Sequence, residues 1–182
     1  MRAQVVVAVV VVGSSLPAFA QPAVTPPAPS IFDTHKGALL EVDAGIGYVR
    51  ASVIGGGSSD SALGVEGPDV GLGLWLDPQL SLQLRFTAVS CHDDGNWFTQ
   101  YFLGPSIQYW LSDTVWVSGG AGAAAIRSSG NTTWGWGLDL RGGYALTPKM
   151  DLSIEVNPAF YKRADTSVSF TGIAVMFGYH FF

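Results

Sequence analysis

The chain has 182 residues, of which 48% are hydrophobic, with 9 Lys+Arg against 14 Asp+Glu, 23 glycines and one cysteine. Its length suits one domain. The net charge of −5 with no basic patch argues against a nucleic-acid partner, and the single cysteine, Cys91, excludes an intrachain disulfide.

Residues 1–20 read as a secretory signal peptide: Arg2 forms a positive start, Val5 to Val12 an apolar run, and Ala18-Phe19-Ala20 a cleavage site before Gln21. The run is too short for a spanning helix; an uncleaved amino-terminal anchor is the alternative. Removing Arg2 with this leader leaves eight Lys+Arg against fourteen Asp+Glu, a net charge of −6. Residues 21–37, proline-rich and without apolar periodicity, read as an extended periplasmic tether.

From Leu39 the apolar period becomes two, the period of a strand. In the first strand Leu40, Val42, Ala44, Ile46 and Tyr48 share one face, with Glu41, Asp43, Gly45 and Gly47 on the other. A glycine- and serine-rich loop is expected over Gly55 to Pro68. The second strand sets Val70, Leu72, Leu74 and Leu76 against Gly71, Gly73 and Trp75, and Asp77-Pro78-Gln79 turns the chain. The third sets Leu80, Leu82, Leu84, Phe86 and Ala88 against Ser81, Gln83, Arg85 and Thr87, followed by a polar loop from Ser90 to Asn96.

The fourth strand carries Tyr101, Leu103, Ile107, Tyr109 and Leu111 on one face, with Phe102, Gln108 and Trp110 among the residues opposite. It ends at the turn Ser112-Asp113-Thr114. The fifth, Val115 to Ile126, consists of small residues whose facing the pattern leaves open, and a loop is expected from Arg127 to Thr132. The sixth sets Trp134, Trp136, Leu138, Leu140 and Tyr144 against Gly135, Gly137, Asp139, Arg141 and Gly143, before the turn Thr147-Pro148-Lys149. The seventh sets Met150, Leu152, Ile154, Val156 and Phe160 against Asp151, Ser153, Glu155 and Asn157, with a last loop from Lys162 to Thr166. In the eighth, Ile173, Val175, Phe177, Tyr179 and Phe181 share a face that ends at Phe182.

No segment after the leader approaches the ~20 apolar residues of a spanning helix, so a membrane-spanning fold here must be a closed barrel. Eight strands of roughly ten residues, three tight turns alternating with longer loops, and aromatics near the strand ends predict an all-β, eight-stranded, antiparallel transmembrane barrel in up-and-down order. A soluble lipocalin-like barrel would point its apolar face inward and a charged face to water. Here the polar faces hold few charges and many glycines, which suits a lumen.

These features resemble the small eight-stranded outer-membrane β-barrel superfamily, the OmpA/OmpX-type barrels, over residues 38–182. The resemblance implies a Gram-negative outer-membrane location with both termini periplasmic, and a monomer in contact with outer-membrane lipid and lipopolysaccharide. It also implies insertion by the barrel-assembly machinery, which would recognise Phe177, Tyr179, Phe181 and Phe182. Here the alternation runs through Phe181, which leaves Phe182 as an extra residue.

Counting back from the turn at 147–149 places Arg141 opposite Glu155, a cross-strand ion pair in the lumen. Arg85, Asp139, Asp43 and Glu41 point inward at similar depths and complete a candidate luminal network. It reads either as a gate or polar binding site, or as the filling of a narrow barrel, whose interior is just wide enough for side chains. The same counting sets Trp110 opposite Trp116 with Trp75 level, an aromatic plug near the periplasmic end that His180 would join. The inward glycines either let the barrel coil tightly or leave a cavity.

Ser90-Cys91-His92-Asp93-Asp94 is the most reactive string, yet no second Cys or His stands at metal-ligand spacing, and a solvated loop is expected. Acidic residues Asp60, Glu66, Asp93 and Asp94 are expected in outer loops. The lipid A deacylase pattern His-x-Ser is absent, and His92 with Asp60-Ser61 is a weak approximation to the palmitoyltransferase pattern. The expected function is therefore structural or surface-interacting, without catalysis, metal or cofactor. The alternatives are a narrow channel or carrier for small hydrophobic molecules and a lipid A-modifying enzyme. The same fold serves several roles, so it does not decide among them.

Overall fold

A computed structural model describes residues 30–54, 59–93, 96–128, 130–163 and 166–181. The signal-peptide and Phe182 expectations lie outside the described residues. A short 3-10 turn, Ile31–Asp33, precedes eight strands: β1 Ala38–Val53, β2 Ser59–Asp77, β3 Leu80–Asp93, β4 Asn96–Trp110, β5 Val115–Ser128, β6 Asn131–Thr147, β7 Met150–Arg163 and β8 Thr166–Phe181. Each pairs antiparallel with its sequence neighbour, and β1 pairs with β8, from Leu40 opposite Phe181 to Val53 opposite Val168, to close the barrel.

The alternation decides which face turns outward. Ile46 is 73% exposed and Leu63 80%, and Leu72, Leu84, Ile107, Ile154 and Phe177 are also exposed. Glu41, Asp43, Arg85, Asp139 and Glu155 are buried. This inverts a soluble protein and matches a barrel whose solvent on the outside is lipid. No helix among the described residues is long and apolar enough to cross a membrane. In β5 the register puts Trp116 and Ala124 in the lumen and leaves Val115 and Val117 outside, settling its facing.

Four loop expectations are corrected. The segment 55–68 is mostly strand, because β2 begins at Ser59 with Leu63 and Val65 outward. Gly67 and Pro68 form a bulge: β1 has only Ala44 between Asp43, opposite Asp69, and Gly45, opposite Glu66. Gly67 has φ +108°, a conformation that disfavours any side chain. The outer loops expected at 90–96, 127–132 and 162–166 contract to hairpins in which Asp93 faces Asn96, Ser128 faces Asn131 and Arg163 faces Thr166. Above the lipid both strand faces can be polar, so alternation ends while backbone pairing continues. Consequently Cys91 and His92 lie on β3, not in a loop: Cys91 is buried in the lumen, and exposed His92 packs on Trp97 with ring centroids 5.1 Å apart. Asp60 and Glu66 are likewise on β2, and Glu66 is buried in the lumen.

The strands have 14 to 19 residues, more than the ~9–11 a tilted span needs. Outward Arg50, beside Ser61 and Thr171, and outward Arg127, beside Thr99 and Thr132, mark the upper limit of the apolar belt.

Candidate functional site in the barrel lumen

The periplasmic end is closed by side chains. Leu39, Trp75, Trp110, Trp116 and Ala145 form one buried cluster, with Phe32 packed against it. Trp110 and Trp116 are register partners. Residues 30–37 seat a second layer here: the His35 ring stacks on Trp75 at 3.8 Å and 6°, and its Nδ1 lies 2.8 Å from the Pro78 carbonyl. The amide of Trp75 donates to Gly37 O at 2.9 Å, and Ser30 Oγ donates to Asp113 at 3.2 Å. Burial favours neutral imidazole and holds His35 below its usual pKa. Sequence reasoning missed this contribution because proline-rich residues 21–37 have no strand periodicity.

Above this floor lies the charged layer. Arg85 meets Glu41 at 3.2 Å, Asp43 at 3.0 Å and Asp139 at 3.1 Å. Arg141 meets Glu41 at 2.6 Å, Asp43 at 3.2 Å and Glu155 at 3.2 Å. Arg141 also donates to Ser153 Oγ at 3.1 Å and lies 4.9 Å over the Trp116 ring. Arg141 and Glu155 are register partners, but the shortest contact of Arg141 runs across the lumen to Glu41. The structure thus brings together all six charged residues singled out in the sequence. His180 faces Asp151 within the charged layer. Gln83 and Gln108, bonded at 2.7 Å, lie on adjacent β3 and β4.

Two further acids enter through the β2 bulge. Glu66 and Asp69 both face inward although three residues apart, which strict alternation does not permit. Asn157 Nδ2 donates to Glu66 at 3.0 Å and to Glu155 at 2.5 Å. Asp69 Oδ1 accepts from the Ala88 amide at 2.9 Å. Donor atoms of two triplets, Glu41–Asp151–His180 and Glu66–Asp69–Glu155, each fall within 4.8 Å of one another.

Toward the outside the lumen becomes apolar. Val49, Val89 and Cys91 pack with Ala62, Phe98 and Phe170, and Ala124, Ala159 and Tyr161 pack with Ile126 and Phe170. A cavity of about 160 Å³ opens among Val49, Ala51, Ala62, Phe98 and Phe170, with Asp60 and Ser61 also lining it. Lower down, glycine permits close approach: a Cβ on Gly104 would stand 2.7 Å from the Cα of Gly122.

An exterior suited to lipid, a polar interior sealed from solvent and closed strand pairing define an integral outer-membrane barrel protein. The chain belongs to the outer membrane protein beta-barrel domain family, whose defining pattern matches residues 6–181. It therefore resides in the Gram-negative outer membrane. No curated protein matches the sequence. Among solved structures it is similar to Neisserial surface protein A, at 21% identity over 79% of this chain and 99% of that one, TM-score 0.55. It is also similar to Ail, the attachment invasion locus protein of Yersinia pestis, at 14% identity over 80% and 99%, TM-score 0.56. At these identities the likeness shows the shared fold.

Proposed function

We propose that this protein is a non-catalytic, monomeric barrel inserted by the barrel-assembly machinery, which acts through its outward rim and lipid-facing wall. The observation that carries the reading is the sealed lumen: Arg85 and Glu41, in the layer above the aromatic floor, are 1% and 0% exposed, so no water column passes them. The aromatic floor and the ion network serve as filling that holds eight strands together. The names of the similar proteins, a surface protein and an attachment protein, accord with a surface role. The short outer hairpins concentrate that role on the strand ends, where Arg50, His92 and Arg127 face outward. Planar-bilayer recordings of the purified chain are expected to show no discrete conductance, and lipid A from cells with and without the gene should have identical mass spectra. Steady ion conductance would overturn the sealed-lumen reading, and altered lipid A the non-catalytic one.

A second reading has its own support. The apolar outer half of the lumen, with its cavity of about 160 Å³, suits a carrier that admits a small hydrophobic molecule from outside. Quenching of Trp fluorescence by a brominated small hydrocarbon, lost in Ala62→Phe, would favour it.

A further inference from the structure

The charged layer of the lumen is out of balance. Among the described residues, Glu41, Asp43, Glu66, Asp69, Asp139, Asp151 and Glu155 are all buried, and the only buried guanidiniums are Arg85 and Arg141. Charge of that kind in a sealed interior calls for further cations or protons. The orphaned atoms show where. Glu41, Asp43 and Asp151 each give one oxygen to Arg141, Arg85 or His180, while Glu41 Oε2, Asp43 Oδ1 and Asp151 Oδ1 are buried without any hydrogen bond.

These side chains meet at the seam where the barrel closes. Gly178 on β8 pairs with Asp43 on β1 and Asp151 on β7, and His180 pairs with Glu41. Gly178 leaves the space between them open: a Cβ there would overlap Asp43 Oδ1 and stand 3.0 Å from both Asp151 oxygens. Asp43 lies outside the Glu41–Asp151–His180 donor triplet, yet its unpartnered oxygen points into the same space.

We propose that Glu41, Asp151 and His180, joined by Asp43, form a binding site for one divalent first-row metal ion of the zinc class. Three carboxylates and an imidazole suit zinc better than the all-oxygen shells of calcium or magnesium. Tetrahedral donors around zinc stand about 3.4 Å apart; the Glu41, Asp151 and His180 donors lie within 4.8 Å of one another, and the ion would replace the present His180–Asp151 hydrogen bond. Arg141 on Glu41 Oε1 and the two arginines on Asp43 Oδ2 orient the ligating carboxylates, as outer-shell partners do. The ion ties β1 to β7 and β8, fastening the closing seam.

The test uses the full chain purified in detergent from outer membranes of an expressing host, stripped with chelator and titrated with zinc chloride. One zinc per folded chain is expected, with an X-ray absorption shell of oxygen and nitrogen that includes one imidazole and no sulfur. Zinc should raise the temperature at which the folded band converts to the unfolded band on a gel. His180→Asn and Asp43→Asn should each weaken binding by about tenfold or more, whereas His92→Asn at the rim should leave it unchanged. A folded wild-type chain that retains no zinc, and so balances its carboxylates with protons alone, would overturn the site. So would a shell containing sulfur from Cys91, or unchanged affinity in either luminal variant. The spectroscopic arm uses wild-type protein and stands even if a variant fails to fold.

Discussion

Replacing Arg141 by Met keeps most of the side-chain volume and removes the charge. In the structure Arg141 holds Glu41 at 2.6 Å, Asp43 at 3.2 Å and Glu155 at 3.2 Å. Arg85 still covers Glu41 and Asp43 afterwards, but it stands 4.0 Å from Glu155. Glu155 is fully buried and would keep only the Asn157 amide at 2.5 Å and Arg85 at 4.0 Å. Breaking a buried pair in this way costs about 3–5 kcal/mol. Urea unfolding from lipid vesicles, followed by tryptophan fluorescence, gives the measurement, with a midpoint drop of about 1 M or more for ordinary slopes. Arg127→Met is the control: Arg127 is exposed and makes no ion pair among the described residues, so its loss should stay within about 0.5 kcal/mol. A loss below about 1 kcal/mol for Arg141→Met, the value of an exposed pair, would show a water-filled lumen and refute the sealed-interior argument.

Three other outcomes are expected. Leu84→Arg puts a charge on the lipid-facing wall, where Leu84 is 53% exposed, and should cost about 2–4 kcal/mol in the same assay; unimpaired folding would reverse the assigned facing. Gly143→Ala should be destabilising by about 1–3 kcal/mol because its Cβ would overlap the Trp116 indole. Gly142→Ala next to it meets nothing within 4 Å and should be nearly silent, so equal effects would contradict the luminal position of Trp116. The floor should loosen in acid: His35 is held below its ordinary value of 6.5 by burial, with His180 and Asp113 the titratable groups facing it. Its neutral form stabilises docking fully above pH 6.5, and that contribution falls as pH drops from there to the depressed value. Iodide quenching of Trp75 should rise over that window in wild type and stay flat in His35→Gln.

The barrel was legible because a strand that faces lipid on one side and a lumen on the other must alternate, and β3, β6 and β7 do so cleanly. Tight turns set the local register: counting from 112–114 set Trp110 against Trp116, and counting from 147–149 set Arg141 against Glu155, although there Thr147 pairs with Met150 and a bulge next to Ala145 supplies the offset. The same logic failed at the outer ends. Strands that leave the hydrocarbon lose alternation, so the residues around Cys91, Arg127 and Lys162 looked like loops although their backbones pair.

The sequence by itself determined location, architecture and which side chains turn inward on the cleanly alternating strands, because a period of two follows from the pleat and needs no partner. Only the closed fold decided who meets whom across the lumen. Glu41 and Arg141, a hundred residues apart, touch because β1 closes on β8. Glu66 and Asp69 share the interior because a bulge at Gly67 and Pro68 resets the parity of β2. His35 reaches the Trp75 ring because residues 30–37 fold back onto the barrel floor. Each contact depends on curvature, closure or a local insertion, and none of these leaves a mark on the spacing of apolar residues.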